Sequence, residues 1–78
     1  MIIEGNKYIY FQLDKDTSKT QSWYVINKSS ELIIADICWY GAWRQYTFNP
    51  RPNTTYNDGC LEVIIQFITR LNTEKRFV

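Results

Sequence analysis

The chain has no histidine. That removes the side chain that most often works as a general base near neutral pH, and a common metal ligand. Glycine (3 residues) and proline (2 residues) are scarce. The sequence shows no Gly-rich phosphate loop, no nucleophile elbow and no low-complexity linker. The two cysteines, Cys38 and Cys60, match no zinc spacing. No apolar run approaches the ~18 residues that span a bilayer. The opening stretch MIIEGNKYIY lacks the basic-then-apolar layout of a secretory signal. An excess of one charge is missing as well. The net charge is +1, which argues against nucleic-acid binding driven mainly by phosphate neutralisation. These absences lead to an expectation of a cytoplasmic, non-enzymatic chain with no catalytic residues, no cofactor, no metal and no membrane partner. The carboxylates Glu4, Asp14, Asp16, Glu31, Asp36, Asp58, Glu62 and Glu74 are scattered. Asp36 alone projects from an expected central strand, and it reads as a solvated sheet residue. Cys38 beside it has no histidine to lower its thiol pKa.

Large side chains are what the sequence does have. Aromatic residues make up 17% of 78 positions. Residues 1–78 form a single domain of the size that buries only about 60% of its unfolded surface. A few buried aromatics, each removing about 150–250 Å² from water, can supply much of so small a core. They concentrate in CWYGAWRQYTFNPRP, Cys38 to Pro52, which holds two Trp, two Tyr, one Phe and two Arg.

Hydrophobic periodicity predicts four strands and one helix. In residues 7–13, Ile9, Phe11 and Leu13 share one face, while Tyr8, Tyr10 and Gln12 share the other. Residues 14–21 are polar and read as a loop. Strands follow at 22–27, 32–40 and 44–49. A four-residue turn at 40–43 sets Trp39 opposite Arg44, Ile37 opposite Tyr46 and Ala35 opposite Phe48. The apolar and polar sets then separate, with Leu32 and Ile34 as exceptions. Pro50 and Pro52 are expected to take the chain out of the sheet. A helix over 58–71 is capped by Asn57 or Asp58. It carries Leu61, Ile64, Ile65, Ile68 and Leu71 toward the core, flanked by Cys60 and Phe67. Glu62, Gln66 and Arg70 form its solvated stripe. Residues 72–78 read as a tail. The expected fold is therefore α+β: a four-stranded antiparallel sheet with one C-terminal helix on one face (ββββα). Cys60 then points into the core and Cys38 away from it, which disfavours a disulfide.

One helix leaves the second sheet face open. Tyr8, Tyr10 and Tyr24 fall there and are candidates for an interface, with a homo-oligomer expected. In the aromatic stretch, Trp39 and Tyr46 read as core. Arg44 reads as a cation stacked on Trp39, or as one wall of an anion or base site. Trp43 fits no core position in this register, and Trp is favoured in binding hot spots. Tyr40 shares its loop. Arg51, held between two prolines, is either a solvated loop arginine or an anion contact. Trp43, Arg44, Tyr40 and Arg51 are thus the candidate ligand or partner residues.

ICWYGAWRQYTFNP followed by YNDGCLEVIIQFI resembles a group of short proteins encoded by phages and other mobile elements. They share the pattern Ile-x-Trp-x-x-x-Trp-Arg-x-Tyr-x-Phe, a proline-containing loop, then Cys-Leu and a C-terminal helix. The matching positions are Ile37, Trp39, Trp43, Arg44, Tyr46, Phe48, Pro50, Cys60 and Leu61. A glycine common two residues before the isoleucine is Ala35 here. The resemblance spans about half the chain, from Ile34 to Leu71. It implies a phage or mobile-element accessory protein that binds a host or phage protein, for example as an anti-defence factor. A protein that sequesters a nucleotide or short nucleic acid is the alternative, and a structural or regulatory subunit of a larger phage assembly is another.

Overall fold

The computed structural model describes Met1–Glu74. The protein is a small α+β domain with five strands and one C-terminal helix: β1 (Ile2–Glu4), β2 (Ile9–Asp16), β3 (Gln21–Asn27), β4 (Ile33–Tyr40), β5 (Gln45–Pro50) and α1 (Asp58–Glu74). The strands pair antiparallel in chain order, so β1 and β5 are the two edges. Five strands replace the expected four. β1 has only three residues, Ile-Ile-Glu, too few to display alternation. It forms because it lies beside β2, with Ile3 opposite Phe11.

The alternating residues build one core. Ile9, Phe11, Trp23, Val25, Ala35 and Ile37 come from the sheet, and Cys60, Ile64 and Phe67 from the helix. Phe67 stacks on Phe11 with centroids 4.2 Å apart and meets the edge of Trp23 at 5.0 Å. The buried Trp23 indole donates to Gln21 Oε1 at 3.0 Å, so its polar tip stays satisfied.

Two bulges explain where the simple alternation breaks. Pairing steps from Leu13↔Trp23 to Lys15↔Ser22, leaving Asp14 as an extra residue. β2 thereby continues to Asp16, where a loop was expected from residue 14. A second shift separates Val25↔Ala35 from Ile26↔Ile33. Ile34 is the extra residue there, and it joins Ala35 in the core cluster. The exception in the polarity pattern is thus a bulge. Its carbonyl also anchors the following loop, accepting from Arg51 N at 2.9 Å and Tyr56 Oη at 2.7 Å.

The β4–β5 hairpin corrects the expected register by two residues. Tyr40 pairs with Gln45, Trp39 with Tyr46, Ile37 with Phe48 and Ala35 with Pro50. The loop has four residues, as expected, but they are Gly41–Arg44. Arg44 is therefore not opposite Trp39; Tyr46 is, and their rings meet edge to face at 5.5 Å. A shift of two preserves every face, which is why the core assignment survives the wrong partners.

Pro50 also stays in the sheet, against expectation, as the last residue of an edge strand. Outward N–H groups on this edge fall at alternate residues. Tyr46 N donates outward to Asn72 Oδ1 at 2.7 Å, and Pro50, in the same phase, needs no partner for an N–H it lacks.

The helix begins at its cap. Asn57 Oδ1 accepts from Cys60 N at 2.7 Å, while Asn57 O accepts the first helical bond from Leu61 N. The helix runs to Glu74 rather than stopping at 71. Lys75 to Val78 of the expected tail lie outside the described residues. The helix is also rotated from the expected orientation. Cys60, Ile64 and Phe67 are buried, whereas Leu61 is exposed and Ile65 is 63% exposed. Both cysteines are free, Cys60 in the core and Cys38 half-buried on the opposite face.

Candidate functional site

The Gly41–Arg44 loop projects from the end of the sheet where β4 ends and β5 begins. Trp43 N donates to Tyr40 O at 3.2 Å and Arg44 N to Gly41 O at 3.3 Å, so the loop is wound on its own backbone. Arg44 closes it with φ 54°, a left-handed conformation that favours glycine. A side chain built at Gly41 would meet open space. Trp43 is 66% exposed and Tyr40 47% exposed. Their rings lie 5.1 Å apart at 89°, so each shields part of the other from water while most of the pair faces solvent.

Arg51 is elsewhere. Its Nε and Nη2 each lie 3.2 Å from a carboxylate oxygen of Asp36, and its guanidinium sits 6.0 Å from the Tyr24 ring. The hydrogen bond to Asp36 holds the Arg51 pKa above its ordinary value. Asp36 and Tyr40 are four residue steps apart on β4, about 13 Å along the sheet. The structure therefore brings Tyr40, Trp43 and Arg44 together at one hairpin tip and leaves Arg51 neutralised on the open face.

That open face is mixed rather than apolar. The Tyr24 hydroxyl bonds to Asp14, which raises its pKa; partial desolvation and the Asp14 and Asp36 charges push the same way, and Arg51 opposes them. Ser22 Oγ donates to Asp14 as well, at 3.1 Å. Tyr10 is half-buried opposite Ile26, which is buried although it lies outside the core cluster. Tyr8 precedes β2 and is exposed, with the Lys7 ammonium 5.1 Å from its ring. Tyr24 thus borders a charged row of Asp14, Asp36 and Arg51, while Tyr10 and Tyr8 lie toward and before the start of β2.

Two features escaped the sequence reading. One is the exposed helix pair Leu61 and Ile65. The signal was present: Cys60, Ile64, Phe67 and Leu71 repeat at the same helical spacing as the stripe first assigned to the core. The other is the β1 edge with the hollows beside it, which no local pattern announces. Among the described residues no cluster of three or more His, Cys, Asp or Glu could hold a metal ion. No described helix is long and apolar enough to cross a membrane.

No family model matches the chain, and no solved structure matches it. A curated relative does. The uncharacterized 9.3 kDa protein of Acholeplasma phage L2 is 31% identical over 77 residues, covering 97% of this chain and 99% of its own. The chain belongs to this phage protein family. The similarity runs nearly end to end, so it takes in the first 30 residues of the phage protein as well as the aromatic stretch. The two chains are also of similar size, 9.4 kDa here against 9.3 kDa.

Proposed function

We propose that this phage-family protein is a non-enzymatic accessory factor that binds a host or phage protein through the β4–β5 hairpin tip. The observation that carries this reading is Trp43. It stands 66% exposed beside Tyr40 in a wound, projecting loop. A bare indole gains on desolvation against a partner, and Trp, Tyr and Arg dominate interface hot spots. Arg44 supports the reading from the backbone side. An arginine is kept at a left-handed position where glycine would carry less strain, and such outliers cluster at functional sites. The partner proposed is a host defence protein, and the proposed setting is the host cytoplasm.

The alternative is capture of a nucleotide or short nucleic acid. Tyr40 and Trp43 offer ring faces beside Arg44, and bases stack on such platforms. The ion pair of Arg51 with Asp36 and the net charge of +1 favour a protein partner. The test is affinity capture from infected cells with the wild type and Trp43→Ala, both checked for native circular dichroism. A protein retained by the wild type and depleted at least tenfold with the variant supports the proposal. A nuclease-sensitive or nucleotide cargo lost in the same way supports the alternative. Equal recovery by both chains removes the hairpin tip from the function.

A further inference from the structure

We propose that two copies of this chain join at the β1 edge, pairing their β1 strands antiparallel into one continuous ten-stranded sheet. The two edges of the sheet are unlike. β5 is blunted by Pro50 and by Asn72, which takes the outward N–H of Tyr46. β1 is short and ends on the charged Glu4, but it has no proline to block its outward N–H groups. Leu13 N donates to Met1 O at 2.9 Å, and Ile3 lies opposite Phe11. Met1 and Ile3 therefore turn their backbone groups inward to β2, and Ile2 and Glu4 turn theirs outward. An edge with two outward residues is a template for another strand.

The template is self-complementary in one register. A twofold axis at Ile3 sets Ile2 opposite the second copy's Glu4, and Glu4 opposite its Ile2. Each of those pairs exchanges two main-chain hydrogen bonds, so all outward groups of Ile2 and Glu4 on both chains are used. A two-residue slip one way sets Glu4 against the second copy's Glu4, like charges directly opposite, which is unfavourable. A slip the other way leaves Glu4 unpaired. In the proposed register Glu4 keeps its own ion pair with Lys28 and faces an uncharged isoleucine.

Side chains complete the fit. Met1 is 76% exposed and Ile2 61% exposed, an apolar start left bare in the single chain. In this register the second copy's Met1 lies opposite Gly5, on the helix-covered face. Gly5 cannot carry a side chain of its own, since a Cβ there would sit 2.7 Å from Ile9 O. Beside it is a hollow of about 250 Å³ lined by Ile3, Phe11, Val63, Phe67 and Arg70. A second hollow of about 160 Å³ continues from Ile3 to Met1 and Trp23. A flexible, apolar Met1 from the second copy suits such a space. The paired segment is short against the ~800 Å² per partner of stable interfaces, so the expected dimer is weak.

Sedimentation velocity of the full chain over a concentration series tests this. Ile2→Pro removes an outward N–H on each copy, which a free edge tolerates. It should raise Kd at least about tenfold. Ile2→Glu and Ile2→Lys test the register independently of β1 stability, because both substitute an exposed side chain. The carboxylate introduced by Ile2→Glu would face the second copy's Glu4 and weaken association. The ammonium introduced by Ile2→Lys would face that same Glu4 and leave Kd within about threefold of wild type. A monomer at every concentration overturns the proposal. So does a dimer indifferent to Ile2→Pro and Ile2→Glu, or one split instead by Ile65→Glu on the exposed helix face.

Discussion

Phe67 and Ile65 sit two residues apart on α1 and should respond oppositely to substitution. Phe67 is buried, stacked on Phe11 at 4.2 Å and edge-on to Trp23 at 5.0 Å. Truncating it to alanine removes a ring from the centre of the helix–sheet contact, where neither strand backbone can collapse into the space. Phe→Ala in such sites costs about 3–5 kcal/mol. A domain of this length has a total stability of about 4–12 kcal/mol, at roughly 0.05–0.15 kcal/mol per residue. Phe67→Ala should therefore leave the protein marginal or unfolded, with a loss of about 4–8 °C in Tm for each kcal/mol. Ile65 is 63% exposed. Ile65→Glu removes little buried surface and should stay within about 0.5 kcal/mol of wild type. Urea unfolding followed by circular dichroism, compared at equal m-values, reads both changes. If Ile65→Glu costs as much as Phe67→Ala, the helix face described for α1 is wrong, and the stripe first read from periodicity is the buried one.

Removing the helix cap by Asn57→Ala should cost about 1 kcal/mol, because Cys60 N loses its acceptor; Asn57→Asp should restore most of it, again by urea unfolding. The alkaline limb of stability should carry a Tyr24 signature. Its folded pKa lies above the ordinary tyrosine value of 10.0, so the folded state holds the phenolic proton more tightly than the unfolded chain. That contribution is complete below pH 10 and is lost as pH rises from there through the folded pKa. Tyrosinate absorbance should show one tyrosine titrating late, and Tyr24→Phe should remove that phase. A titration that loses its ordinary rather than a late-titrating phase in Tyr24→Phe would contradict the Asp14–Tyr24 contact.

Much of the fold was legible because side-chain facing depends only on parity. Ile9, Phe11, Ile37, Tyr46 and Phe48 fall on the helix side in any register that keeps alternation, and the true register differs from the expected one by an even step. The turn itself was harder to place. A left-handed residue is normally announced by glycine or asparagine, and here that position is Arg44. Pro50 misled because an edge strand with its N–H outward hides the usual penalty. The helix offered two overlapping apolar stripes, and only the sheet decides between them, by placing Phe11 and Trp23 under Phe67. The same distinction divides the candidate site. Trp43 stood out because the expected four-residue turn left it no core position, a purely local fact. Arg51 could not be judged from its neighbours, since its partner Asp36 lies 15 positions away across the β4–β5 row. β1 gave no local signal, being a strand only by virtue of Phe11 and its neighbours on β2.

The central claim is that Trp43 serves something outside the fold. The unfolding free energy of Trp43→Ala tests it most directly. An indole that faces solvent at a hairpin tip should be removable within about 0.5 kcal/mol, leaving only the small edge-to-face contact with Tyr40 to lose. A loss of about 3 kcal/mol or more, the range of a truncated core aromatic, would place Trp43 in the core and withdraw the hairpin tip as a binding surface.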